Sequence, residues 1–404
     1  MSRHSRALTP AFTRHWTAVA VTNLGDGVLL AAGPLLVATI TTDPVAVSAA
    51  MFAQQLPWLL FALTGGALAD RLPRRTLVVA GNLVRAAAMA ALAAVIAAGT
   101  PALWQLYLVS FLFGTIETVT DTAHSALIVD SVPADRLGRA NARLHVTAML
   151  TNQLAGPPLG ALLFAISVAV PFGLHAVVCA LAALIVLRVP VEHRPPPVRA
   201  TLRADIAEGL RWLWRNAGLR ILALCIFVMN FAGVGAFAIW VLYGTRHLGL
   251  TDTQYGLFIA TGAAGGICGA WTYNRLETRF GQTTLLRAGL VVEAMTYLAL
   301  AVTDNPWVAG AIMTVFGMHA VVWGSVSATA RQRATPSELL GRAGSVYQLA
   351  SVGGSVLGAL LGGFVADRFG LLVPFWVASA MVAVMTVLAW RRLADVRAGQ
   401  PVQQ

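Results

Sequence analysis

Apolar residues run along this chain in blocks of about twenty, separated by short polar connections in which arginine is the dominant charge. Folded as helices, blocks of ~20 residues reach across a hydrocarbon layer ~30 Å thick. They fall near 15–39, 45–69, 76–98, 102–128, 145–167, 171–188, 219–243, 252–273, 283–302, 305–329, 344–365 and 371–390. The pattern predicts an all-α membrane protein with twelve transmembrane helices in two pseudo-symmetric six-helix bundles. Arginines cluster in alternate connections, leaving Arg246 and Arg368 for the opposite side. Charge placed this way predicts a multi-pass protein of the inner (plasma) membrane with both termini in the cytoplasm.

Composition agrees with lipid as the solvent. At 57% hydrophobic, 11% charged and a mean hydropathy of +0.72, there is too little polar residue to cover a water-soluble surface of 404 residues. The pI near 10.8 would suit nucleic acid in a soluble protein. Here the basic residues abut the spans, as Arg71, Arg74 and Arg75 do after the second, and no aromatic-basic groove occurs in the loops. No nucleic-acid partner is expected. The first block is longer than the ~7–15-residue apolar core of a signal peptide and lacks a small-residue cleavage site, so it is expected to be retained. Cys179, Cys225 and Cys268 lie inside predicted spans with neither metal spacing nor an even count, and read as packing residues. No metal and no cofactor are expected, and no Walker sequence for ATP is present.

The longest polar connection, 189–218, separates an N-terminal bundle (1–188) from a C-terminal one (219–404). It holds Pro190 and the run Pro195-Pro196-Pro197; then Leu202, Ile206, Leu210 and Leu213 recur at helical spacing, predicting an amphipathic helix on the cytoplasmic face. The halves echo each other at an offset near 203. Gly65 followed by Asp70-Arg71 matches Gly269 followed by Asn274-Arg275, and Pro133 with Leu137-Gly138-Arg139-Ala140 matches Pro336 with Leu340-Gly341-Arg342-Ala343. Such repeats are the trace of a transporter built from two related units.

The segment from Gly65 through Asp70, Arg71 and Arg74 to Arg75 resembles the signature loop of the major facilitator superfamily. With Gly25-Asp26 in the first span and the Pro-x-x-x-Leu-Gly-Arg-Ala connection after the fourth, the chain is similar to the branch of enterobactin-type siderophore exporters and macrolide efflux proteins. The resemblance implies a conformational latch at Gly65, Asp70, Arg71 and Arg74, with Arg139 or Arg143 as further partners of Asp70. An ordinary topogenic cluster is the alternative. In span five, Gly156-Pro157-Pro158-Leu159-Gly160 resembles the core of the antiporter motif of proton-coupled exporters, without that motif's upstream glycines. It makes Gly156, Pro157 and Gly160 a candidate hinge, because a mid-helix proline removes a backbone donor and bends the axis.

Charge inside the spans points to proton coupling. Glu117 and Asp121 stand four apart on one helical face, and two like charges so close in lipid favour binding a proton. Counted at ~1.5 Å per residue, Asp26, Arg85, Glu117 and Asp121 lie within roughly 10–17 Å of the inner boundary and can form one cluster. An intramembrane charge costs at least ~2.5–3.5 kcal/mol near a helix centre, so these groups should be paired, neutralised or facing water. We expect Asp26 and Glu117 to face a central cavity, with Arg85 biasing one acid and Asp121 loading a proton. A static Arg85–acid tie is the plain alternative. His319, near the repeat position of Glu117, is a further proton-coupling candidate, whereas Glu293 is expected to pair structurally with Arg287. Phe113, Asn230, Phe237, Trp240 and Trp323 are candidates for lining the substrate cavity. Trp58, Trp104, Trp307 and Trp376, at or near span ends, suit the lipid interface better.

The expected function is efflux of a small organic molecule, a drug, antibiotic or siderophore, against inward proton flow by alternating access. The partners are substrate, protons and the lipid bilayer, and the chain is expected to act as a monomer. A lysophospholipid flippase or another solute carrier of the same fold is the alternative. A membrane protease is disfavoured because His124 and Ser125 are sequence neighbours and do not converge as a catalytic dyad.

Overall fold

The computed structural model describes residues 10–132, 136–188, 210–212, 214–336 and 339–394, and the side chains of all of these except 10–11, 62–71, 122, 125–126, 129–131 and 341–342. Among the described residues every regular element is helical. The first half comprises α1 (Pro10–Ile40), α2 (Pro44–Arg71), α3 (Arg74–Ala98), α4 (Leu103–Ser131), α5 (Leu137–Ala148), α6 (Gly156–Ile166) and α7 (Val170–Leu187). A π-helix, Met149–Ala155, joins α5 to α6. The second half comprises α8 (Ala217–Phe237), α9 (Asp252–Phe280), α10 (Gln282–Val302), α11 (Pro306–Ala334), α12 (Leu340–Phe369) and α13 (Val373–Ala389). After α8 the chain makes one further turn, Trp240–Leu242, and a π-helix, Tyr243–His247. The amphipathic helix expected in the central connection falls largely outside the described residues, on 189–209 and 213.

Among the described residues, nine helices are long and apolar enough to cross a membrane, fewer than the twelve apolar blocks. The difference has three local causes. α4 and α9 are 29 residues each but less apolar: α4 carries Glu117 and Asp121, and the middle of α9 is rich in glycine, with Gly256, Gly262, Gly265, Gly266 and Gly269. α13 is apolar throughout but has 17 residues.

Two compact units emerge. One comprises the described residues within Met1–Thr41, Leu56–Pro197 and Thr251–Ala260, the other those within Thr42–Gln55, Val198–Leu250 and Thr261–Gln404. The start of α2 thus groups with the second unit and the start of α9 with the first, unlike a single cut in the central connection. In the first unit α1 packs on α6 and α7, and α3 on α4 and α7. In the second, α8 packs on α12 and α13, and α10 on α11 and α13. These neighbour schemes are the same, which gives the sequence offset of 203 a structural meaning: equivalent helices have equivalent packing neighbours in each unit.

Close helix approach rests on missing side chains. A Cβ on Gly156 would stand 2.5 Å from the Cα of Gly27, and one on Gly160 would run into the carbonyl of Val28, so α6 lies against α1 with backbone nearly touching backbone. A π-helix runs up to Gly156, just before Pro157 and Pro158. Its wider turn shifts the hydrogen-bond register so that both prolines occupy the first turn of α6, where a missing N–H costs little.

Candidate functional site

In the first unit, Asp26 is the meeting point of three helices. From α3, Arg85 donates Nη2–H to Asp26 Oδ1. From α7, His175 Nε2 lies 2.9 Å from the same oxygen. His175 is fully buried and Arg85 nearly so, while the Asp26 side chain keeps 26% of its surface exposed. The carboxylate is therefore the accessible member of the cluster and the cation its buried support. Gly25 makes room for this, since a Cβ there would meet His175 Cδ2 and Val178 Cγ1 at 3.0 Å.

The second ring nitrogen of His175 faces its own helix, with Cys179 Sγ 3.5 Å from Nδ1. A neutral imidazole that donates Nε2–H to Asp26 leaves Nδ1 to accept from the thiol, so one tautomer satisfies both contacts. Phe113 of α4 closes the cluster from the side. Its ring centroid lies 5.3 Å from that of His175 and 4.7 Å from the guanidinium carbon of Arg85. Phe113 is itself buried, so it acts as a wall of the charged cluster and not as an open surface. Glu117, one turn along α4, is within electrostatic reach of Asp26, Asp121 and Arg85, and the Trp58 indole adjoins it. Trp58 thereby differs from Trp104 and Trp307, which are 63% and 84% exposed as lipid-interface residues would be. Asp121 is exposed on α4 but within electrostatic reach of Asp26 and Arg85.

Sequence reasoning missed two histidine features. His175 sits alone in an apolar block, and only Cys179 one turn later hints at polarity there. Nearer the helix ends, His15 of α1 and His124 of α4 have ring centroids 5.2 Å apart, with both nitrogens of His15 and Nδ1 of His124 buried and unpartnered.

The second unit carries a different cluster. His319 Nε2 on α11 lies 3.0 Å from Glu293 Oε2 on α10, and Tyr297 donates its hydroxyl to Glu293 Oε1 at 2.9 Å. The expected pairing of Glu293 with Arg287 is corrected: Arg287 donates Nε–H to the carbonyl of Trp390 and stacks on its ring. Residues 287 and 293 are six apart, which places them on different sides of the helix, and Glu293 is turned inward. Trp323, 2% exposed, lies in the core of the unit beside Gly289, its indole N–H without a partner. Phe237 and Trp240 are half-buried in an aromatic chain, 4.7 Å apart, that continues through Tyr243. Asn230 donates to the Ile226 carbonyl and accepts from Ser355 of α12.

Of the expected latch, α2 runs through Gly65 to Arg71, but the side chains of Asp70 and Arg71 lie outside the described residues. Arg143 stacks over Trp16 at 3.9 Å within its own unit.

The chain matches the family model described as transmembrane secretion effector over residues 4–401. It is 27% identical over 342 residues to the class C tetracycline resistance protein of Escherichia coli, covering 82% of this chain and 83% of that one. It is 26% identical over 381 residues to the enterobactin exporter EntS of Citrobacter koseri, covering 93% and 88%. In fold it is similar to a bacterial homologue of the iron transporter ferroportin in its inward-facing state, with a TM-score of 0.76 over 96% of this chain and 100% of that one, at 16% identity. Repeated helix packing, charged residues inside apolar helices and a family match over nearly the whole length lead to one conclusion: the chain belongs to the transmembrane secretion effector family of the major facilitator superfamily, and is a secondary active transporter of small molecules across a membrane, not an enzyme.

Proposed function

We propose that this protein exports a small organic molecule, of the drug, antibiotic or siderophore kind, in exchange for protons, by alternating access through twelve spans with both termini in the cytoplasm. The observation that carries the proposal is Asp26, a partly exposed carboxylate in a membrane helix with Arg85 and His175 as buried partners. Protonation of Asp26 removes the counter-charge of Arg85, so proton binding changes the attraction between α1 and α3. Coupling then means that substrate and proton favour different arrangements of these helices. Glu117 and Asp121, one turn apart beside this cluster, supply further sites where a proton can reside. Efflux is favoured by the printed functions of the relatives, a tetracycline resistance protein and an enterobactin exporter.

The test is an export screen in cells stripped of their own exporters, followed by transport of the identified compound in proteoliposomes under an imposed pH gradient. Asp26→Asn keeps an oxygen that can accept from Arg85, so the protein should remain folded while gradient-driven transport is lost. Glu117→Gln should lose it too. Unchanged gradient-driven transport in both variants would refute proton coupling through this cluster.

A further inference from the structure

The repeat offset of 203 exposes a site that only the second unit possesses. In the first unit, the ends of α1 and α4 and the start of α5 meet in a filled apolar cluster of Phe12, Val132 and Ala140, packed by Trp16, Ile128, Leu137 and Leu144. Adding 203 to each position leads to the ends of α8, α11 and α12. There, Leu137 and Ala140 find the same residue types, Leu340 and Ala343, so the frame is kept. The filling is not. Trp16 becomes Leu219 and Phe12 becomes Arg215, which is exposed, so neither ring has a counterpart at its own position, although Trp212 packs on the apolar core to which Leu219 and Tyr347 belong. Ile128, Val132 and Leu144 become Arg331, Thr335 and Tyr347.

The result is a cavity of about 440 Å³ lined by Leu219, Arg331, Thr335, Leu340, Ala343 and Tyr347 among others. That volume is in the range of small-molecule pockets, ~300–1,000 Å³. The Arg331 guanidinium lies 3.5 Å from the centroid of the Tyr347 ring, and its Nε is buried without a hydrogen-bond partner. Among the described residues no carboxylate pairs with it. Tyr347 is held in turn, its hydroxyl 3.1 Å from Ser327 Oγ. The 30-residue helix α12 also begins at this cavity, with Leu340, so the positive end of its dipole adds positive potential.

A guanidinium stacked on a ring, with no carboxylate partner among the described residues, lining one cavity with a hydroxyl, a helix start, Leu219 and Ala343, matches an anion attached to an apolar body. We propose that this cavity in the second unit binds an anionic phosphate-bearing amphiphile, with the phosphate on Arg331 and Thr335 and the apolar part where Trp16 stands in the other unit. The chemistry suits both the headgroup region of an anionic phospholipid and a free organic phosphate.

The full-length protein, purified in neutral detergent, should be titrated with dioctanoyl phosphatidylglycerol, with dioctanoyl phosphatidylcholine and with inorganic phosphate, following bound mass by native mass spectrometry. We expect one saturable site for phosphatidylglycerol, weaker by roughly tenfold or more in Arg331→Gln because a charge-assisted contact is lost. Leu219→Trp, which restores the filling of the first unit, should weaken it comparably. Phosphatidylcholine should bind without dependence on Arg331. If inorganic phosphate alone shows the Arg331-dependent binding, the anion site stands and its occupant is a soluble phosphate compound. Wild-type binding of both anions by Arg331→Gln, with an unchanged melting temperature, would overturn the assignment. That variant carries the test by itself if Leu219→Trp does not fold.

Discussion

Glu293, 4% exposed on α10, has its two carboxylate oxygens taken by His319 and Tyr297, a complete set of contacts for an acid enclosed in a helical bundle. Removing one side of such a buried set leaves the other unpaired, at a cost of about 3–5 kcal/mol. Glu293→Ala should therefore lower the melting temperature of the purified protein sharply, whereas Arg287→Gln, which loses an exposed hydrogen bond and ring contact to Trp390, should leave it within a degree or two. Equal losses in the two variants would restore the Glu293–Arg287 pairing expected from the sequence. The comparison shows what spacing can and cannot supply. Asp26 and Arg85 were legible because any charge inside an apolar block is conspicuous and needs a partner. His175 was not, because a single imidazole in a block of valine, leucine and alanine has no local signature, and its relation to Asp26 spans 149 residues of sequence.

Elements are held by what is absent from their contact faces. Gly27, Gly156 and Gly160 bring α1 and α6 into backbone contact, and a branched side chain there has no space to enter. Gly160→Val should cost about 1–3 kcal/mol through overpacking, read as reduced thermal stability in detergent. Gly173→Ala, where an added Cβ meets nothing within 4 Å, is the matched control and should be neutral. Helix existence was readable from apolar periodicity over almost every block. The π-helix at Met149–Ala155 was not, since it answers to the packing of α1 against the segment and to the prolines that follow, and neither acts through local propensity. The proline pair stands in the turn just after this π-helix, inside one continuous 30-residue span, Leu137–Ile166.

For the whole molecule, orientation rests on arginine placement. In a background with the exposed Cys268 changed to Ser, Arg246→Cys should react in intact cells with a membrane-impermeant maleimide, and Arg333→Cys only after permeabilisation; both native residues are exposed. The opposite labelling pattern would reverse the orientation and with it the direction assigned to proton flow. The two units follow one packing scheme yet differ in chemistry. One holds a carboxylate against arginine and histidine, the other an acid against histidine and tyrosine, with a cavity where its counterpart is filled. Duplication set the scaffold, and divergence at matched positions set what each half can bind.

Membrane residence and the internal repeat were written along the chain, because lipid imposes length, hydropathy and flanking charge locally, one helix at a time. Which charge meets which was decided in three dimensions. Helix rotation and the glycine-allowed approach of neighbours bring Asp26 to His175, turn Glu293 away from Arg287, and leave Arg331 facing an unfilled space. Those choices depend on the side chains of other helices, which no window of neighbouring residues contains.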